Sequence, residues 1–64
     1  MIRLTRLNGS EFLLNCEQIK CVESTPDSVV TLLSGEKIVV REVAEEIVDR
    51  VVDYGRRLRA FVLN

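Results

Sequence analysis

The chain lacks histidine and tryptophan, and its 64 residues include only two cysteines. Without histidine, a nucleophilic side chain would have no general base of the usual kind, and Cys16 or Cys21 could be activated only by Lys20 or an arginine. Two cysteines are also too few for a zinc site, which needs about four ligands. We therefore expect no catalytic residue, no metal and no cofactor, and we predict that the protein is not an enzyme.

The two cysteines are separated by four residues, and we expect both to be reduced and mostly buried, as small apolar side chains. A disulfide between Cys16 and Cys21 is the alternative. Nothing else in the sequence indicates an oxidising compartment.

The sequence also lacks a long apolar run and an excess of one charge. No apolar stretch approaches the ~18 residues of a membrane span, and the opening residues MIRLTRLN contain no apolar segment of a signal peptide. Nine basic and ten acidic residues give a net charge of -1, which provides no bulk attraction to nucleic acid. We expect a cytoplasmic protein without a transmembrane span, and nucleic acid is not the expected partner.

Glycine is scarce, and two of the three glycines, Gly9 and Gly35, stand between apolar runs. A phosphate-binding loop needs several glycines followed by a helix, and neither position provides them. Both glycines therefore favour β-hairpin turns.

The first hairpin is predicted from Asn8-Gly9, a pair typical of a two-residue type I′ turn. This turn would place Arg6 opposite Glu11 as a cross-strand ion pair. The full predicted register is Leu7–Ser10, Arg6–Glu11, Thr5–Phe12, Leu4–Leu13 and Arg3–Leu14.

The second hairpin is predicted around Ser34-Gly35, between SVVTLL and EKIVVR. With this loop the pairs are Val29–Val40, Val30–Val39, Thr31–Ile38 and Leu32–Lys37. A Gly-Glu loop is the alternative, and it would shift the register. Before this hairpin, CEQIKCVEST predicts a third strand, and Pro26 and Asp27 of Thr25-Pro26-Asp27 indicate a turn.

The hydrophobic period changes after about residue 43 and predicts one helix over residues 42–62. One helical stripe contains Ala44, Ile47, Val51, Tyr54, Leu58 and Phe61. Spacing of four residues allows ion pairs between Glu46 and Arg50 and between Asp53 and Arg57. Gly55 leaves open whether the helix continues beyond it.

The predicted fold is α+β, in a single domain of residues 1–64. Residues 1–41 are expected to form a small, strongly bent antiparallel sheet of hairpins with about four to five strands, and one C-terminal helix follows. Both faces of the hairpins and two stripes of the helix are apolar, more than one sheet–helix contact requires. We therefore predict a homo-oligomer. The predicted interface residues are Leu4, Leu13, Ile47, Val48, Val51, Tyr54, Leu58 and Phe61.

Three arginines, Arg56, Arg57 and Arg59, lie near the end of the helix. Arginines suit a helix C-terminus because they complement the helix dipole. As the functional alternative, they are candidate docking residues for a partner protein.

Several segments of the chain form a recognisable combination: MIRLTRLNG with EF and LN after it, VE and TPD in the middle, and the helical segment EEIVDRVVDY. Together they resemble the FlbD family of small flagellar proteins. The similarity covers about residues 1–58. It implies a non-enzymatic cytoplasmic protein that supports motor function or flagellar assembly through protein contacts. It also implies a flagellar motor or regulatory protein as partner and the cytoplasmic face of the motor as the location. Compared with this family, the chain has Val43 where a serine often begins the helix and Gly55 where a charged residue is usual.

The opening residues are also similar to those of the RNA-binding regulator CsrA, over about ten positions. That resemblance implies Leu4, Thr5 and Arg6 as RNA-binding residues, and it provides the alternative function of a small post-transcriptional regulator. The net charge of -1 and the predicted pairing of Arg6 with Glu11 argue against it.

Overall fold

Five short strands and one long helix make up the part of the chain that the structure, a computed structural model, describes. That part is residues 1–24 and 26–63, with the backbone alone for residues 58–63. The elements are β1 (Ile2–Thr5), β2 (Glu11–Leu14), a 3₁₀ turn (Cys16–Gln18), β3 (Ile19–Glu23), β4 (Ser28–Leu32), β5 (Lys37–Val40) and α1 (Ala44–Leu63). The predicted α+β fold is confirmed.

The strands form two antiparallel sheets, one of β1 and β2 and one of β3, β4 and β5 in that order. A single bridge between Arg6 and Val40 joins the two sheets. Beside it, the Arg41 amide donates to the Thr5 carbonyl at 2.8 Å. The two sheets therefore meet where β1 ends and β5 ends, and together they form one bent layer.

The first hairpin turn is one residue longer than predicted. Its loop is Leu7-Asn8-Gly9: the Gly9 amide donates to the Arg6 carbonyl, and the Arg6 amide donates to the Ser10 carbonyl, both at 2.9 Å. A type I′ turn needs positive φ at both central residues, but among the described residues positive φ occurs only at glycines, with 92° at Gly9. Asn8 instead uses its Oδ1 to accept the Ser10 amide at 2.9 Å. The predicted two-residue loop is wrong.

The longer loop shifts the register of the first hairpin. The pairs are Ile2–Leu14, Arg3–Leu13, Leu4–Phe12 and Thr5–Glu11. Four apolar side chains therefore share the core-facing side, namely Ile2, Leu4, Phe12 and Leu14. The prediction that both faces of this hairpin are apolar is wrong, since Leu13 is the one large apolar residue on the outer face.

Arg6 does not form the predicted cross-strand pair with Glu11, because the corrected register places Thr5 opposite Glu11. The Arg6 guanidinium lies over the Phe12 ring instead, with its Cζ 4.5 Å from the ring centroid. This is the geometry of a cation–π contact.

The second hairpin turn has the same construction as the first. The Gly35 amide donates to the Leu32 carbonyl at 2.9 Å, and the Leu32 amide donates to the Glu36 carbonyl at 2.8 Å. Gly35 has a φ of 94°. The loop is therefore Leu33-Ser34-Gly35, and both alternatives considered for this turn are wrong.

The second hairpin keeps apolar residues on both faces in its corrected register. The pairs are Ser28–Val40, Val29–Val39, Val30–Ile38 and Thr31–Lys37. Val30, Ile38 and Val40 are buried in the core, and Val29 and Val39 are half-buried on the other face. β3 pairs with the opposite edge of β4, as the third strand of this sheet. Pro26 and Asp27 lie in the β3–β4 connection, and Thr25 lies outside the described residues.

The hydrophobic core lies between the bent sheet and the first turns of α1. Leu4, Val30, Val40 and Ile47 are the largest fully buried side chains. Ile2, Leu14 and Ile38 complete the cluster. Among the described side chains of α1, Ile47 is the one that is fully buried in this core, and it shares the cluster with residues of both sheets.

The helix begins at Ala44, two residues later than predicted, and it continues through Gly55 to Leu63. The Val43 carbonyl accepts a hydrogen bond from the Ile47 amide at 3.2 Å, so Val43 occupies the N-cap position. Both predicted helical ion pairs are confirmed: Arg50 with Glu46 at 3.8 Å and Arg57 with Asp53 at 3.1 Å.

Candidate functional site

Glu42 connects the first strand to the helix from the short segment between β5 and α1. Its carboxylate accepts the Thr5 amide at Oε1, 2.9 Å away, and the Thr5 hydroxyl at Oε2, 2.8 Å away. Arg50 donates to the same Oε2 at 3.2 Å and also to the Arg3 carbonyl. These contacts tie residues that are 37 and 8 positions from Glu42 in sequence to one buried carboxylate.

The Glu42 side chain is only 8% exposed. Burial by itself raises the pKa of a carboxyl, but the hydrogen bonds from Thr5 and Arg50 stabilise the charged form and outweigh it, so the pKa of Glu42 is lowered. A carboxylate held ionised in this way is a poor proton donor near neutral pH. Glu42 is therefore a structural group that fastens α1 to β1.

A polar cleft of about 380 Å³ opens beside this carboxylate. Its charged and aromatic lining consists of Arg3, Glu11, Glu42, Arg50, Asp53, Tyr54 and Arg57. Arg50 and Arg57 are both engaged in the ion pairs described above. Much of the charge that lines the cleft is therefore already paired within the subunit.

An apolar groove of about 230 Å³ lies on the other flank of the helix, between α1 and the segment from the 3₁₀ turn into β3. We call it the helix groove, and it is lined by Cys16, Ile19, Val22, Ile47, Val48, Val51 and Val52. Val48 is 52% exposed and Val52 is 43% exposed, so the helix wall of this groove presents apolar surface to solvent.

The structure separates the predicted interface residues into several groups. Leu4 and Ile47 are fully buried in the core of the subunit, so they cannot contact a second copy, and this part of the prediction is corrected. Val48 and Val51 line the helix groove. Leu13 is 61% exposed on the outer face of the first hairpin.

The remaining predicted interface residues are at the end of the helix. Tyr54 is half-buried and packs against the core. The side chains of Leu58 and Phe61 lie outside the described part of the chain, as does that of Arg59. Of the predicted docking arginines, Arg56 and Arg57 are exposed, and Arg57 is paired with Asp53.

The two cysteines are free thiols in different surroundings. Cys16 is half-buried at the end of the helix groove. Cys21 is exposed, which corrects the prediction that both are mostly buried; it lies on edge strand β3, opposite Thr31 of β4. Among the described residues, no group of three potential histidine, cysteine or carboxylate ligands is close enough together for a metal ion.

Sequence reasoning missed Glu42, Arg41 and Arg50 as organising residues. The Arg41 guanidinium donates to the Leu7 carbonyl from Nε at 3.0 Å and from Nη2 at 2.8 Å, so it fastens the first turn to the end of β5. An acidic residue just before a helix indicates, by local reasoning, no more than a favourable interaction with the helix dipole. No local signal pairs Glu42 with Thr5.

Comparison with known protein families decides which group the chain belongs to. The sequence profile of the FlbD family, described as flagellar and swarming motility proteins, matches residues 1–59. The chain belongs to the FlbD family. Searches of curated proteins and of solved structures found no match to it.

The FlbD match covers the strands, Glu42, the helix groove and most of α1. Gly55, which stands where the family usually has a charged residue, does not end the helix, since α1 continues past it. Within the described residues, no helix has both the length and the apolar character needed to cross a membrane.

Two of the three residues that the alternative function assigns to RNA binding already make contacts inside the subunit. Leu4 is fully buried, and Thr5 donates both its amide and its hydroxyl to Glu42. Arg6 is exposed, although its guanidinium lies over Phe12. RNA binding by this FlbD family member stays a prediction without a structural observation in its favour.

Proposed function

We propose that this chain is a cytoplasmic accessory protein of flagellar motility that acts through protein–protein contacts and not by catalysis. The observation that carries the proposal is the FlbD family match over residues 1–59, because this family consists of flagellar and swarming motility proteins.

The geometry of the two flanks of α1 supports action by contact. On the polar flank the buried carboxylate of Glu42 is held ionised by Thr5 and Arg50, so it serves structure rather than proton transfer. On the other flank, Val48 and Val52 expose apolar surface beside the helix groove. Exposed apolar surface next to a concave apolar wall is typical of a protein-contact site.

We further propose that the contacts support the motor or its assembly, with a flagellar motor or regulatory protein as the partner at the cytoplasmic face of the motor. The family match supports the motility role.

A deletion strain with complementation tests this function. We expect deletion to reduce swimming and swarming speed, and the wild-type gene to restore both. A gene carrying Val48→Glu and Val52→Glu should fail to restore them at equal protein level. Leu33→Glu is the matched control, since Leu33 is 62% exposed in the second turn, away from the helix groove.

Counting filaments and measuring motor torque on tethered cells then separates two modes of action. Normal filament number with low torque would place the protein at the motor, and few filaments would place it in assembly. Unchanged speed and torque in the deletion strain would refute the proposed function.

A further inference from the structure

We propose that the helix groove is covered by a second copy of this chain, with two α1 helices packed antiparallel about a two-fold axis near Val52. This inference deepens the proposed function. It rests on that proposal in one respect, namely that the helix groove is the contact surface. The occupant is identified from apolar exposure, from the charges beside the exposed valines, and from Gly55.

The apolar part of the contact is the pair Val48 and Val52, which lie four residues apart and therefore on one side of the helix. They are 52% and 43% exposed. The facing wall of the groove consists of the half-buried residues Cys16, Ile19 and Val22. A second helix laid along this side would remove both valines from water.

Charges beside the valines favour a second copy over an unrelated partner. With 3.6 residues per turn, Glu45, Asp49 and Arg56 fall on one line along the helix, directly beside Val48 and Val52. All three are exposed, and none of them takes part in the ion pairs found among the described residues.

This line is acidic at the N-terminal end of the helix and basic at Arg56. Val52 lies about midway between Asp49 and Arg56. An antiparallel pair centred there brings Asp49 of each copy towards Arg56 of the other, so symmetry forms the contact twice. A parallel pair would align like charges, which is unfavourable. The surface is thus electrostatically complementary to itself in one orientation.

Gly55 provides an independent argument. Glycine is a poor helix former, yet α1 continues through this position. A Cβ added at Gly55 would meet no atom within 4 Å, so packing inside the subunit does not require a glycine. Gly55 follows Val52 by three residues on the same side of the helix, where a closely approaching second helix would need space.

The first experiment measures mass in solution. Sedimentation or light scattering of the full chain should show a dimer at micromolar concentration. Val48→Glu with Val52→Glu should raise the dissociation constant about tenfold or more, because two charges from each copy would be buried without partners. Leu33→Glu should leave it unchanged. A wild-type monomer at every concentration tested, or a dimer that the double variant does not weaken, would overturn the inference.

The second experiment tests the orientation. Asp49→Arg and Arg56→Glu should each weaken the dimer a few-fold, whereas the two substitutions in one chain should restore it, because the pair is formed again with its signs exchanged. Failure of the combined variant to recover would contradict the antiparallel packing.

Gly55→Leu separates the dimer from the subunit. It should stabilise the helix of the monomer, since leucine is the better helix former, and weaken the dimer, since the side chain would lie between the helices. A dimer that tightens or stays unchanged with this variant would count against close helix packing at Gly55.

The two proposals fail in different ways. If the chain is a monomer but Val48→Glu with Val52→Glu still abolishes motility, the dimer is refuted and the proposed contact function is supported with another protein in the groove. If the double variant loses the dimer and motility is normal, the dimer is supported and the role of this surface in motility is refuted.

Discussion

The polar cleft and the helix groove lie on opposite flanks of α1 and differ in what their side chains contact. In the polar cleft, Glu42 is 8% exposed and receives three donors from Thr5 and Arg50. In the helix groove, Val48 and Val52 remain about half exposed. Hydrogen bonds made inside the subunit contribute to its stability, while apolar surface that remains exposed to water is available for association. The two flanks should therefore respond to substitution in different measurements.

The largest effect on stability is expected at Ile47, which lies between the two flanks. Ile47→Ala removes a fully buried side chain from the core and should lower the free energy of unfolding by about 2–5 kcal/mol. Chemical denaturation followed by circular dichroism measures this change. Val48→Ala is the matched control, with both variants measured at concentrations where the chain is monomeric. A comparable loss of stability there would contradict the assignment of Ile47 to the core and Val48 to the surface.

The next largest effect is expected on the polar flank. Glu42→Ala removes the acceptor of the Thr5 amide and hydroxyl and one of the partners of Arg50, and it should cost about 1–3 kcal/mol of the free energy of unfolding. Glu46→Ala removes an exposed helical pair with the same arginine and should cost at most about 0.5 kcal/mol. Equal losses in the two variants would show that Glu42 does not fasten α1 to β1.

The pH dependence of stability provides a finer test of the same flank. The folded pKa of Glu42 is lowered, so the unfolded chain binds this proton more readily. The stabilisation is complete above the unfolded pKa, about 4.3 for glutamate, and is lost as the pH falls through the folded pKa. Unfolding titrations should show this acid loss in the wild type and less of it in Glu42→Gln. Identical acid profiles would refute the contribution of Glu42.

The smallest effect on the subunit itself is expected in the helix groove. Val52→Thr changes an exposed side chain and should alter the free energy of unfolding by no more than about 0.5 kcal/mol at concentrations where the chain is monomeric. The melting temperature of the wild type should rise with protein concentration, because association stabilises the folded state, and this rise should be smaller in the variant. A wild-type melting temperature that is independent of concentration would argue against association.

Local features of the molecule were accessible from sequence. The five strands, the helix and the pairs Glu46–Arg50 and Asp53–Arg57 follow from periodicity and from spacing of four residues, and the structure contains them. These features depend on neighbours within one or two turns of the chain, which the sequence displays directly.

The hairpin registers show where local reasoning ends. Asn8-Gly9 is compatible with a two-residue or a three-residue loop, and the difference of one residue moves Leu13 from beside Leu4 to the opposite face. Arg41 binds the Leu7 carbonyl from 34 positions away and holds the longer loop against β5. The part of the self-association argument that depended on the first hairpin is therefore lost, whereas the part that depends on Val48 remains.

The sequence by itself determined the element order, the heptad-like apolar stripe of α1 and the membership of the FlbD family, because each of these is encoded in residues close together or in the order of segments along the chain. Only the tertiary structure decided that Ile47 is buried while Val48, its neighbour, is exposed, and that the Glu42 carboxylate accepts hydrogen bonds from Thr5. Both outcomes depend on how the helix packs on the bent sheet, and this packing is determined by contacts between residues distant in sequence.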